Sequence, residues 1–134
     1  MLPGFLVQFG CAADPALQSR WESARLPDEP NRRRFQAGTL SFAGNGVDSR
    51  TCHLFVALEP KGSGLGKAAH EATIGWVEGM EVFERVVQNF ESHGYPDLGD
   101  LQDSLVRTGN QAAAAYSKLD RIVGAKVVSV RGAP

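Results

Sequence analysis

The chain has 134 residues, 43% hydrophobic and 22% charged, the balance of one ordinary soluble domain rather than of a disordered, collagen-like or coiled-coil chain. Fourteen Lys and Arg stand against fifteen Asp and Glu, so the basic excess of a nucleic-acid binder is missing and nucleic acid is not an expected partner. No apolar run approaches the roughly 20 residues that span a bilayer, so no membrane partner is expected either.

Cys11 and Cys52 are the only cysteines. Two are too few for a disulfide scaffold, and they are read as reduced thiols. Reduced thiols fit a cytoplasmic location, which is the expected compartment, and the N-terminal stretch carries no basic leader.

In chain order, Phe5–Phe9 reads as a strand with Gly at each side. Asp14–Arg25 reads as a short helix, with Asp14 as N-cap and Pro15 in the first helical position. Leu26–Arg34 is a loop broken by Pro27 and Pro30, with Arg32, Arg33 and Arg34 on a solvated face. Phe35–Ala43 reads as a strand, and Gly44–Arg50 as a glycine-bearing loop. Thr51–Leu58 is the clearest strand. Cys52, Leu54, Val56 and Leu58 share one face and His53, Phe55 and Ala57 the other, so one face meets a core and the other a covered or ligand-binding surface.

Glu59–Ala69 is a Gly- and Lys-rich loop and Thr73–Val77 a short strand. Gly79–Phe90 has helical spacing in Met80, Phe83, Val86 and Phe90. Gly94–Gly109 reads as irregular, Gln111–Leu119 as a helix, and Ile122–Val130 as a strand. Regular short strands with glycine turns favour a single mainly β domain, a barrel or sandwich, over residues 1–134.

Three chemistries are set aside on spacing. In Gly62-Ser63-Gly64-Leu65-Gly66-Lys67 the last glycine of a dinucleotide fingerprint is Lys67. A Walker loop would need Gly at Lys61 and Ser or Thr at Ala68. Cys11, Cys52, His53, His70 and His93 show no metal-ligand spacing, and no Gly-x-Ser-x-Gly elbow occurs.

Four segments in register resemble the cyclophilin-type peptidyl-prolyl isomerases, in a divergent bacterial and algal form. Pro3-Gly4-Phe5-Leu6-Val7-Gln8-Phe9-Gly10 is similar to the family's P-G-F-M-x-Q-G-G strand, and Gly38-Thr39-Leu40-Ser41-Phe42-Ala43 to G-x-(L/I)-S-M-A. Asp48–Val56 is similar to N-T-N-x-S-Q-F-F-I, and Ile74–Val82 to F-G-x-V-x-E-G-M-x-V. The resemblance covers about residues 2–130. It implies an antiparallel β-barrel with two or three short helices. Two strands and a helix precede the P-G-F segment in the family, so the chain is expected to lack the first strands and helix, and its oligomeric state is open.

The implied activity is cis–trans isomerisation of X-Pro bonds, assisting protein folding. Its partners would be proline-containing peptides or unfolded clients, and it would use no cofactor or metal. The step must cross a barrier of about 18–20 kcal/mol without making or breaking a bond. By resemblance, Phe5, Gln8 and His53 take the catalytic positions, and Leu6, Ala43, Phe55 and Leu65 bind substrate. The groove histidine falls near His70 or Glu71, with His70 the assigned residue.

Three positions depart from the family. Its catalytic Arg would fall just before Met1, its Gln is His53, and its pocket-edge Trp is Gly64. The missing guanidinium makes a non-catalytic module that grips proline-containing peptides the alternative.

Overall fold

The computed structural model describes Leu2, residues 4–86 and residues 98–128. Strands β1 (Leu6–Phe9), β2 (Thr39–Phe42), β3 (Leu54–Ala57) and β4 (Thr73–Trp76) form one antiparallel sheet in the order β1-β3-β2-β4. Leu6 pairs with Ala57, Gln8 with Phe55, and Ser41 with Phe55 from the other side. Pairing of β2 with β4 passes from Leu40–Gly75 to Ser41–Thr73, so Ile74 is the extra residue of a bulge.

Both faces of the central strands are covered. Val7 and Val56 are buried on one face, and Phe55, Ala57, Thr39 and Ser41 on the other. Burying a side chain such as Val56 or Phe55 is worth about 1.5–3 kcal/mol. The Thr39 hydroxyl accepts the Gln36 amide at 2.9 Å, which keeps that buried oxygen satisfied.

Helix α1 (Pro15–Ser23) starts as its residues dictate. Asp14 Oδ1 accepts the Ala16 amide at 2.9 Å, and Pro15 occupies the first turn, where its missing N–H costs nothing. Arg50, buried in the loop before β3, fixes the proline-rich segment after α1. It pairs with Glu29 at 2.5 Å and donates to the Pro27 carbonyl.

The described residues build an open four-stranded antiparallel sheet whose edge strands β1 and β4 are not joined, with a few short helices, so the β architecture expected of a barrel lacking its first strands is found in part and no barrel is closed. Three further expectations are corrected. The segment read as irregular holds helix α2 (Leu98–Thr108), because Leu101 and Leu105 repeat at helical spacing and Leu101 is buried. Only a 3₁₀ helix, Met80–Glu84, forms in the expected Gly79–Phe90 helix, and residues 87–90 lie outside the described set.

Ile122–Val128 makes no strand pairing and is exposed, Val123 completely. Residues 129 and 130 lie outside the described set. A strand needs a neighbour's hydrogen bonds, and this segment pairs with neither edge strand, β1 or β4.

Helix α3 (Asn110–Ala115) follows α2 after Gly109, which has φ 53°. The Asn110 amide donates to the Ala13 carbonyl at 3.0 Å, and a Cβ on Gly109 would fall on that oxygen. This tight corner docks the C-terminal helices on the entry to α1. Among the described residues no helix is long and apolar enough to cross a membrane. Gly109→Ala is expected to lower stability by about 2 kcal/mol or more, through the clash and the left-handed backbone. Urea denaturation checks this, and an unchanged midpoint would contradict the corner's role.

Candidate functional site

Strand alternation puts Leu6 and Gln8 on one face of β1. Both, with His53 just before β3, line a cavity of about 240 Å³. Leu101 and Leu105 of α2, Leu119 after α3, and Leu2, Phe9 and Cys11 complete an apolar wall. No Lys or Arg is among the described residues that line it. The volume lies below the ~300–1,000 Å³ of drug-sized ligand sites, so it suits one small ring rather than a nucleotide or flavin. Gln8 is exposed, and its side-chain amide has no partner among the described residues, so it is free to bond a ligand.

A buried amide anchors the polar end of this cavity. Gln18 of α1 is only 1% exposed. Its Oε1 accepts the Ala12 amide at 2.6 Å, and its Nε2 lies 3.1 Å from Glu22 Oε1 and 3.4 Å from Cys52 Sγ. His53 Nε2 sits 3.0 Å from Glu22 Oε1 and 3.3 Å from Gln18 Nε2. With Gln18 donating to Glu22 and Cys52, the Nε2–H tautomer of His53 donates to Glu22. His53 Nδ1 is then a buried acceptor with no partner. Such an acceptor is costly to leave unmet.

The hydrogen bond from His53, aided by Gln18 and the attraction to His53, holds the Glu22 carboxyl below its ordinary value against partial desolvation. Burial, with Cys52 and Glu22 nearby, pushes the Cys11 thiol up to about 11, so it is a neutral wall group and a poor nucleophile near pH 7. Among the described residues no three His, Cys, Asp or Glu side chains are placed to share a metal ion.

The remaining sequence-assigned residues lie outside the described lining of this cavity. Ala43 donates its amide to the His53 carbonyl at 2.9 Å, which fixes it beside His53. His70 Nδ1 lies 3.2 Å from the Gly46 carbonyl, and its ring packs against Gly44, next to Ala43. Phe55 is the register partner of Gln8 but only 2% exposed, with its ring tilted against Phe35 at 6.0 Å between centroids.

Phe5 is half-buried at the start of β1, where its carbonyl accepts the Leu58 amide at 2.8 Å. Leu65 lines a separate groove with Phe35. Thus Leu6, Gln8 and His53 share the cavity, and Ala43, His70, Phe5, Phe55 and Leu65 are not in its wall.

Sequence reasoning missed Leu101, Leu105 and Gln18. The leucine spacing was the available signal for the first two, whereas nothing local marks Gln18 as buried. Comparison with protein families, with curated proteins and with solved structures finds no match to this chain.

The sign of the Glu22 effect follows from its lowered folded value. The stability it contributes is complete above the ordinary carboxyl value of 4.5 and is lost as pH falls through the lower folded value. Glu22→Gln is expected to flatten this acid arm in urea-midpoint measurements from pH ~6 down to pH ~3. A wild-type midpoint that falls no more steeply than the variant's would contradict the assignment.

Proposed function

We propose that this chain is a cyclophilin-like domain that binds proline-containing peptides and catalyses cis–trans isomerisation of X-Pro bonds. The observation that carries the reading is the convergence of Leu6, Gln8 and His53 on one small apolar cavity. The apolar wall takes the proline ring out of water. The free Gln8 amide bonds the peptide backbone on either side of that ring. His53 stands beside Gln8 at the polar end of the cavity. Rotation needs an environment that favours the twisted amide over the planar one, and hydrogen-bonding groups beside an apolar wall supply that preference. Bonding is unchanged across the step, so no nucleophile takes part and no cofactor or metal is proposed.

The second reading, a module that binds such peptides without turning them over, is favoured by the absence of Lys and Arg from the described lining. The buried Arg50 is committed to Glu29 and Pro27. A missing cationic donor typically lowers a rate by about 10²–10³. A protease-coupled assay on an Ala-Pro peptide separates the readings. The expected result is slow but measurable acceleration over buffer, reduced several-fold in Gln8→Ala and unchanged in Trp21→Ala, an exposed residue outside the described lining of the cavity. Folded protein with no acceleration rejects the isomerase and leaves the binding module. Loss of peptide binding as well rejects both.

A further inference from the structure

Two loops set apart in the sequence, the arginine run and the glycine-lysine loop, meet across an open groove of about 620 Å³. Arg32, Arg33 and Arg34 line one side, and Lys61 and Lys67 the other. All five are exposed, and neither the Arg50–Glu29 salt bridge nor the His53–Glu22 hydrogen bond among the described residues uses any of them. No carboxylate is among the described residues of the lining. In a chain with one net negative charge, five unpaired cations around one groove form a local positive field, and their mutual repulsion works against folding.

The groove is built rather than accidental. Asn31 clips the loops together: its Nδ2 donates to the Gly66 carbonyl at 3.1 Å, and its Oδ1 accepts the Arg33 amide at 3.3 Å. The Phe35 ring packs directly against Gly66, where a Cβ would lie 2.8 Å from its Cδ1. Arg33 is held with its guanidinium 5.1 Å from the centre of the Trp76 ring.

The occupant follows from what is already filled. The Gly66, Lys67 and Ala68 amides, the nest in which a phosphate would sit, all donate to Glu71 Oε2 at 2.7, 3.2 and 3.3 Å. An anion must therefore be held by side chains spread along the groove, not at one backbone point. That arrangement matches carboxylates spaced along an extended peptide. Stacking surface for nucleic-acid bases is scarce in the groove wall, because Phe35, the aromatic residue of its described lining, is half-buried against Phe55 and Gly66, and the exposed Trp76 lies outside that lining with Arg33 over its ring.

We propose that this groove binds an acidic peptide segment, so that preferred clients carry Asp or Glu residues near their proline. The inference deepens the proline-peptide reading and rests on it for the proline alone. Phe55 connects the two sites, since it is the register partner of Gln8 and lies against Phe35 in the groove wall.

The test titrates the full chain with three labelled peptides: an acidic proline peptide, the same peptide with every Asp and Glu changed to Asn and Gln, and the acidic peptide with Pro changed to Ala. The acidic proline peptide is expected to bind about tenfold tighter than its amide counterpart at low salt. That margin should vanish at high salt, where exposed charges are screened. It should also vanish in Arg32→Gln/Arg34→Gln and, separately, in Lys61→Gln/Lys67→Gln, with circular dichroism confirming the fold of each. Equal binding of the acidic and amide peptides, or a margin that survives both variants, overturns the groove. Tighter binding of a single-stranded oligonucleotide overturns the peptide assignment. Equal binding of the acidic Pro and Ala peptides, with the margin over the amide peptide intact, supports the groove and rejects the proline reading alone.

Discussion

Pairing of β1 with β3 sets Leu6 opposite Ala57 and Gln8 opposite Phe55, and the position of every candidate side chain depends on that register. Side chains alternate along a strand, so a slip of one residue would turn Leu6 and Gln8 to the opposite face and bring Val7 into their place. The register resists slipping because both faces are loaded. Val7 and Val56 are buried on one, and Phe55 and Ala57 on the other. Gly10, at φ 116°, lets the chain leave the ladder where a Cβ would strike the Cys52 carbonyl. The same close approach brings Cys11 into the cavity wall and keeps Cys52 within reach of Gln18.

Gln18 is the second constraint. A fully buried amide is tolerated only when its hydrogen-bonding capacity is used, and here it joins the chain after β1, its own helix and the start of β3. It therefore sets the distance between α1 and the sheet, and Glu22 then fixes the His53 ring. The cavity is mostly apolar where the helices cover it, Gln102 apart, and polar where Gln8 and His53 stand. That division allows it to hold an apolar ring with polar atoms on either side. The cationic groove obeys a different rule, since its charges stay in solvent and act through their number.

Legibility in the sequence followed the range of the forces involved. Local punctuation marked α1, through Asp14 and Pro15, and the ends of β1, through its flanking glycines. Period-two alternation found β3 and paired His53 with Phe55 on one face. The expected Phe35–Ala43 strand shortens to β2 because Phe35 leaves the strand to cover Phe55 and Gly66, a choice decided by partners 20 and 31 positions away. The β-branched run at Ile122–Val128 has strand composition but no strand neighbour among the described residues. The leucines of α2 were obscured by glycines at both ends of the helix. Within the candidate site, Leu6, Gln8 and His53 were legible from alternation and from the family resemblance. The helical wall was not, because it joins residues about ninety positions apart.

The claim that most needs testing is that a proline ring enters the cavity beside Gln8. Backbone amide shifts of isotopically labelled protein, followed during titration with a neutral Ala-Pro peptide, address it directly. The account predicts saturable shifts centred on Leu6, Gln8, Ala43 and His53, together with Leu101 and Leu105, and none from the Pro-to-Ala peptide. Shifts that cluster elsewhere, or equal responses to both peptides, would contradict it.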